Sequence, residues 1–255
     1  MTRPFEGRTI LITGAAGGFG SALARRFAGE GARLVLSDLS IEPLDALAAE
    51  IDADCVAQAG DVRKDETARD LVAAAVKRFG SLDVAINNAG IASAFKPLHE
   101  TPVDEAERIM AVNLTGVVFA MRHQIPQMRA QFAANGSWSA IVNMASIAGV
   151  IGAAGLAVYA GAKHGVVGLS KSAALENARH GVRINCVCPT FSPTAMVTED
   201  ISAGNPDLDK LARGIPMRRL ARVEEVVDAV IFAASPASSF LTGQAIHVDG
   251  GITAG

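Results

Sequence analysis

The chain has 255 residues, half of them hydrophobic, and a formal net charge of −3 at pH 7. With a sequence pI near 6.0 it offers no basic footprint for nucleic acid, and no apolar run is long enough to span a membrane. The opening "MTRPFEGRTILITG" lacks the apolar core and cleavage site of a signal peptide, so the expectation is a soluble, cytoplasmic protein.

Apolar runs alternate with amphipathic stretches from end to end. "RTILIT" (8–13) reads as a strand and 18–29 as the helix that follows it. Next come "ARLVLSD" (32–38), a helix at 43–50, "DCVAQAGD" (54–61) and a helix at 65–78. "LDVAINNAG" (82–90), one long helix at 104–131, "SAIVNMAS" (139–146) and a helix at 156–179 continue the pattern. "VRINCVCP" (182–189), an irregular stretch at 192–215, a helix at 223–234 and "QAIHVDGG" (244–251) complete it. Several strands are apolar on both faces, as a parallel sheet covered by helices requires. Such alternation builds βαβ units with right-handed crossovers. The predicted fold is α/β, a Rossmann-like doubly wound parallel sheet of seven strands with helices on both faces. No linker-like stretch or repeat divides residues 1–255, which are predicted to form a single domain. The loop after "QFAANGSW" (131–138) is expected at the opposite edge, as plain surface. Cys55, Cys186 and Cys188 make no disulfide framework. Cys186 and Cys188 read as buried thiols on one strand face, and no metal site is expected.

In an open α/β sheet, ligands bind outside the carboxyl ends of the strands. Those ends here are Thr13-Gly14, Asp38, Asp61-Val62, Asn87-Asn88-Ala89-Gly90, Ser146 and Pro189. "ILITGAAGGFG" follows a strand and opens a helix. Gly14, Gly18 and Gly20, with Gly17 and Phe19 between them, allow a tight turn and close backbone approach. The helix N-terminus then presents free N–H groups to a phosphate. Asp38 ends the next strand, where a carboxylate accepts both ribose hydroxyls of an adenosine and repels a 2′-phosphate. Neither Gly17 nor Leu39 supplies a basic group for such a phosphate, so the cofactor expected is NAD rather than NADP. The competing role for Asp38 is a helix cap, for which Ser40 is the better candidate. Asp61 stands where the adenine would lie, or else caps the helix beginning near 65.

Tyr159 is the only tyrosine in the chain and precedes Lys163 by four residues, which puts both on one helix face about one turn apart. A free phenol titrates near ~10, and a neighbouring ammonium favours the phenolate. With this pair and the glycine loop in view, the chain resembles the short-chain dehydrogenase/reductase family over essentially its whole length. The matching segments are "TGAAGGFG" (13–20), Asp61-Val62, "NNAG" (87–90), Asn113 in "VNLTG", Ser146 in "NMASIAG", "YAGAK" (159–163), Asn185 in "RINCVCP" and "VDGG" (248–251). The resemblance implies that Tyr159 is the general acid/base and that Ser146 hydrogen-bonds the substrate oxygen. It further implies that Lys163 binds the nicotinamide ribose and lowers the tyrosine pKa, and that Asn113 steadies a helix kink and a water. Asn88, Ala89, Gly90, Val62, Pro189 and Phe191 would line the cofactor, and Thr194 matches a threonine that contacts its carboxamide. Thr190 departs from the usual glycine and removes its freedom at positive φ, which alters the expected path of that loop.

Residues 190–220 follow the cofactor loop and would cover the substrate. They include Phe191, Met196, Val197, Ile201, Leu208, Leu211, Ile215, Pro216 and Met217, an apolar lid or in part a subunit contact. The loop after "NNAG" adds Ile91, Ala92, Ala94 and Phe95. The substrate expected is a mainly apolar secondary alcohol or ketone. The small residues Gly161, Gly165, Gly168, Ala173 and Ala174 permit close helix packing, and the family's habit implies a homotetramer. Three other readings stand beside the NAD-dependent dehydrogenase. An NADPH-dependent 3-oxoacyl-carrier-protein reductase would want a basic patch and is opposed by Asp38. A non-catalytic NAD sensor has no need of Ser146, Tyr159 and Lys163 together. A methyltransferase has no task for the Tyr-x-x-x-Lys pair.

Overall fold

The computed structural model describes residues 3–201 and 207–254, the side chains of residues 200 and 201 excepted. Seven parallel strands make one sheet in the order β3-β2-β1-β4-β5-β6-β7. They are β1 (Thr9–Thr13), β2 (Arg33–Asp38), β3 (Cys55–Ala59), β4 (Val84–Asn87), β5 (Ser139–Met144), β6 (Val182–Pro189) and β7 (Ala245–Val248). The order runs outward from β1 to β3 on one side and from β4 to β7 on the other. The chain thus reverses direction between β1 and β4, and a crevice opens there.

Strand alternation divides the core. Ile10, Ile12, Leu34, Leu36 and Val142 face one layer, where they meet Leu23 and Phe27 of α1 (Gly18–Gly29), Leu44 of α2 (Ile41–Glu50) and Val230 of α8 (Val223–Ala234). Leu11, Val35, Ala85, Ile141 and Ile184 face the other. There they meet Leu71 of α3 (Asp65–Phe79), Met121 of α5 (Gly116–Asn135) and Val166 of α6 (Ala157–Asn177). Each of these fully buried Ile, Leu, Val, Phe and Met side chains contributes about 1.5–3 kcal/mol. The two-residue period is why neighbours such as Ile10 and Leu11 belong to different clusters.

Three elements differ from their sequence reading. The helix expected at 104–131 is α4 (Val103–Met110), one π-helical turn at Ala111–Thr115, then α5, which stops at Gly136 with φ 71°. The stretch around 131–138 is surface at residues 133–136 and at Trp138, as expected, but not at its start. Gln131 is buried and holds Leu82 by both its N–H (2.8 Å) and its carbonyl (3.0 Å), fastening the entry to β4. Trp138 lies edge-on to Phe132, 5.7 Å between centroids. Residues 192–215 contain a π-helical turn, Met196–Ile201, and the short α7 (Leu208–Arg213). Residues 202–206 of the expected lid, and the Ile201 side chain, lie outside the described residues. Ser40 does occupy the N-cap of α2, in extended conformation, but its side chain makes no capping bond.

Candidate active site

A cleft of about 750 Å³ runs along the carboxyl ends of the strands. Gly14, Gly17, Gly18 and Phe19 form its floor beside β1. Gly14 has φ 64°, and a Cβ there would lie 2.8 Å from the Ala89 Cα. The loop can therefore meet the Asn88-Ala89 segment only as glycine. The Asn88 side-chain amide donates to the carbonyls of Thr13 (3.1 Å) and Gly14 (2.9 Å), locking the two loops together. The first turn of α1 carries no acid and no side-chain cap, so its N–H groups are open to an anion. Gly20 does not line the cleft. Its missing Cβ makes room for the Gly14 carbonyl, so its role is to pack the helix against the loop. Gly20→Ala is expected to destabilise the fold by about 1–3 kcal/mol and to weaken dinucleotide binding, as read by denaturant unfolding and ligand titration.

Asp38 is not a helix cap. Its Oδ2 accepts from the Ala16 N–H (3.0 Å) and its Oδ1 from the Leu39 N–H (2.8 Å), leaving each oxygen with further acceptor capacity. Asp61 does not cap α3 either, whose N-cap is Lys64. Its carboxylate is bound by Arg63, which holds its pKa below the usual range. Leu39, Asp61, Val62 and Arg63 stand together on the far wall.

The other end of the cleft holds the titratable groups. Tyr159 lies in the first turn of α6 and Lys163 one turn later, both buried. The Lys163 Nζ donates to the Met144 carbonyl at 2.7 Å and lies 5.6 Å from the centre of the tyrosine ring. Ser146 follows β5 and caps a short turn, its Oγ accepting from the Ala148 N–H at 3.1 Å. That turn rests on α6 at Gly149, where a Cβ would lie 2.7 Å from the Lys163 carbonyl. The glycine thus fixes Ser146 against the tyrosine–lysine face. Burial pushes the Tyr159 phenol up to about 12, and the Ser146 hydroxyl beside it pulls the other way. Burial also brings the Lys163 ammonium down to about 8. The expected lowering of the tyrosine by the lysine is not seen in the chain by itself: burial, and after it the Cys188 thiol, raise the phenol, and the only opposing influence is the Ser146 hydroxyl.

Asn113 is buried outside the cleft. Its side chain donates to the Ile91 carbonyl (2.8 Å) and accepts from the Ile91 N–H (2.9 Å), pinning the π turn to the loop after Gly90. Asn87, at the strand end, also points away from the cleft. It joins Gln124, and through Asn143 the Ser170 hydroxyl of α6, in a buried network that fixes α6 on the sheet. Thr190 takes no positive φ. Its N–H continues the sheet ladder to the Val248 carbonyl (3.1 Å), so the loop keeps its path without glycine. The Thr194 side chain packs on Gly18, its Cγ2 2.8 Å from where a Cβ would be. Pro189, Thr190, Phe191, Thr194, Met196, Val197 and Leu211 line the cleft, whereas Met217 is exposed and Ile215 is buried away from it.

The sequence reading missed Arg63, Arg108, Met144, the 151–154 stretch, Leu156 and Ile252, all on the cleft wall. The 151–154 stretch was inferable, because the chain between Ser146 and Tyr159 must leave the site and return to it. Cys186 and Cys188 are free and buried, and burial raises both thiols, to about 11 and about 12. The described residues contain no group of three or more His, Cys, Asp or Glu placed to hold a metal.

A nicotinamide dinucleotide fits this wall. The glycine floor is a cradle that side chains would fill, and the hydroxyls of Thr190 and Ser192 are buried beside it without partners. Among the described residues, buried Lys163 has one acceptor, the Met144 carbonyl, for its three donors. Fold and site together define a dinucleotide-binding oxidoreductase. Residues 14–253 match the family model described as enoyl-(acyl carrier protein) reductase. The chain is 41% identical to a cis-4-hydroxycyclohexanecarboxylate dehydrogenase of Sinomonas cyclohexanicum, over 100% of each chain. It is 37% identical to a cyclohexanol dehydrogenase of an Acinetobacter species, over 99% of this chain and 98% of the other. Among solved structures, a 3-ketoacyl-(acyl-carrier-protein) reductase of Brucella melitensis complexed with NADH superposes with a TM-score of 0.91. It is 34% identical, over 97% of this chain and 99% of that one. The chain belongs to the short-chain dehydrogenase/reductase family.

Proposed function

We propose that the chain is an NAD(H)-dependent dehydrogenase that interconverts a compact, mainly apolar secondary alcohol and its ketone. The convergence of Tyr159, Ser146 and Lys163 at one end of a dinucleotide-shaped cleft carries this reading. When bound, the nicotinamide takes up or gives the hydride. The protein's own residues do the rest. Ser146 donates to the substrate oxygen and fixes the reacting carbon. Tyr159 accepts the hydroxyl proton in oxidation and returns it in reduction. Lys163 orients the cofactor ribose and shares a proton with Tyr159. Gly14, Gly17, Gly18 and Phe19 take the pyrophosphate side, and Asp38 and Leu39 the adenosine ribose. Asp61 and Val62 take the base. Asn88, Ala89, Gly90, Pro189, Thr190, Phe191 and Thr194 enclose the nicotinamide half.

The substrate end is walled by Phe95, Ile151, Leu156, Met196, Val197 and Leu211, an apolar enclosure. The two alicyclic alcohol dehydrogenases among the relatives favour a ring-bearing alcohol. The rival acyl-carrier reductase would dock an acidic protein. Of the cations on the cleft wall, Lys163 is buried and Arg63 is already bound to Asp61. That leaves Arg108, a thin basis for such a partner. Following NADH absorbance with cyclohexanol, 4-hydroxycyclohexanecarboxylate and an acyl-carrier thioester, in both directions, tests the reading. Turnover of the thioester alone would overturn it. A homotetramer belongs to the same reading. Leu175 and Phe240 are 85% and 104% exposed, apolar surface that a subunit contact would cover, and light scattering checks it.

Coenzyme choice follows from Asp38. NAD(H) is expected to exceed NADP(H) in kcat/KM by at least about tenfold, or ~1.4 kcal/mol. Asp38→Ala with Leu39→Arg should move preference toward NADP(H) by removing the repulsion and adding a cation. Equal efficiencies in wild type, or no shift in the variant, would mean that Asp38 does not face the ribose.

A further inference from the structure

The turn after β7 reaches the cleft from an element that carries none of the titratable groups of the site. β7 lies at the sheet edge opposite β3. With the adenosine half of the dinucleotide at the ends of β2 and β3, a residue that follows β7 meets the cleft beyond Ser146 and Pro189. The Thr190 N–H donates to the Val248 carbonyl at 3.1 Å, so the turn starts beside the nicotinamide half. Among its described residues, Ile252 is the one on the cleft wall.

This turn is braced on two sides. Asp249 is buried, and its Oδ1 accepts from the Gly251 N–H at 2.9 Å. Its Oδ2 accepts from Thr253 twice, from the N–H at 2.8 Å and from the hydroxyl at 2.6 Å. A hydroxyl has one proton to give, so the His247 Nδ1, 2.7 Å from the same oxygen, is the donor there. Ile252 thus stands between two residues that hold one carboxylate. On the other side Gly250 and Gly251, at φ 61° and 94°, pack on Ile215 and Pro216. A Cβ at Gly250 would lie 2.6 Å from the Ile215 Cγ2, and the Gly250 carbonyl accepts from the Met217 N–H at 3.2 Å. That segment follows α7, whose Leu211 also lines the cleft. An apolar side chain on a backbone held in this way is a fixed wall, because it cannot withdraw from a bulky ligand without breaking these contacts.

We propose that Ile252 is a specificity-determining residue for the substrate and that Thr253 is the residue that positions it. Ile252 closes the substrate end on the β7 side and limits bulk on the alcohol away from its reacting carbon. The class admitted is a slim ring alcohol, and a ring with a branched alkyl group opposite the hydroxyl is turned away. This inference rests on the reading that the cleft takes a ring-bearing alcohol or ketone.

The test compares kcat/KM for cyclohexanol and for 4-tert-butylcyclohexanol in wild type, Ile252→Ala, Thr253→Val and Thr253→Ser. Binding of the two corresponding ketones to the NADH complex of Tyr159→Phe, with and without Ile252→Ala, is read by NADH fluorescence, which gives the same ratio without turnover. Ile252 is only partly buried, so its variant is expected to fold. Wild type should favour the unsubstituted ring by at least about tenfold, and Ile252→Ala by less than about threefold through a gain with the bulkier ring, the scale on which an apolar pocket sorts by size. Thr253→Val keeps the shape but loses the hydroxyl bonds and should relax the discrimination, whereas Thr253→Ser should retain it. A merely structural role for either residue would depress both rings alike and leave their ratio unchanged. A wild type that handles both rings equally, or an Ile252→Ala that discriminates as sharply as wild type, would overturn the inference alone. A Thr253→Val with the wild-type ratio would remove Thr253 from it. A wild type that neither oxidises nor binds either ring would overturn the proposed substrate class, and the inference with it.

Discussion

Tyr159→Phe is expected to lower kcat by about 10²–10⁴-fold, the range that a positioned general acid/base supplies, with the dissociation constant for NADH changed by less than about twofold. The substitution removes one oxygen from a buried ring and leaves its packing on Ala160, Ala162 and Leu156 in place. Lys163 keeps its bond to the Met144 carbonyl, so the cofactor side is preserved. Only the proposed proton carrier is lost. Ser146 cannot substitute for it, because a serine hydroxyl is a far weaker acid than a phenol. The measurement is steady-state turnover beside fluorescence titration of NADH. A variant that keeps more than about a tenth of wild-type kcat, a loss below ~1.4 kcal/mol, would remove Tyr159 from the chemistry.

Much of this site could be read from spacing, and the reason is topological. Strand ends in a parallel α/β sheet all point to one crevice, so Gly14, Asp38, Asp61, Asn88, Ser146 and Pro189 had to converge once the strands were recognised. Helical periodicity put Tyr159 and Lys163 on one face in the same way. What stayed hidden depended on side-chain partners that spacing does not reveal. Asn87 and Asn88 are adjacent, yet one joins a buried network with Gln124 and Asn143 while the other ties two cleft loops. Strand alternation sends them to opposite tasks. Asp61 read as a cap or a base contact because nothing in a sequence shows that Arg63 will fold back on it. The π turn at Ala111–Thr115 interrupts a pattern that read as one uniform helix. Only the two bonds between Asn113 and Ile91 reveal why it is there. The pKa values were the least legible. The sequence shows an ammonium beside a phenol, but the balance between its field and burial depends on how dry the pair is.

That balance makes Lys163→Met the second large effect. Tyr159 is held up to about 12 and Lys163 down to about 8, both by burial. The Lys163 Nζ lies 5.6 Å from the centre of the tyrosine ring; if the two exchange a proton, the first to leave has an apparent pKa that belongs to the pair and to neither group alone. For alcohol oxidation the form lacking that proton is the competent base. Activity should therefore rise as pH increases through about 8, and ketone reduction, which needs the proton, should fall over the same interval. In Lys163→Met the pair is gone. What remains is a buried phenol without a neighbouring cation, so the inflection near 8 should disappear and the rising limb should move above pH 10. At pH 8 this combines with loss of the proposed ribose contact, and kcat/KM is expected to drop by at least about 10³-fold, ~4 kcal/mol. Weaker NADH binding should accompany it, which separates this variant from Tyr159→Phe. Because Tyr159 is the only tyrosine in the chain, its ionisation can also be followed directly by near-ultraviolet absorbance. Wild type with NAD bound should form phenolate at lower pH than Lys163→Met with NAD bound. A pH–rate profile that keeps its inflection near 8 without the lysine, or a tyrosine titration that is the same in both proteins, would show that Lys163 does not share a proton with Tyr159.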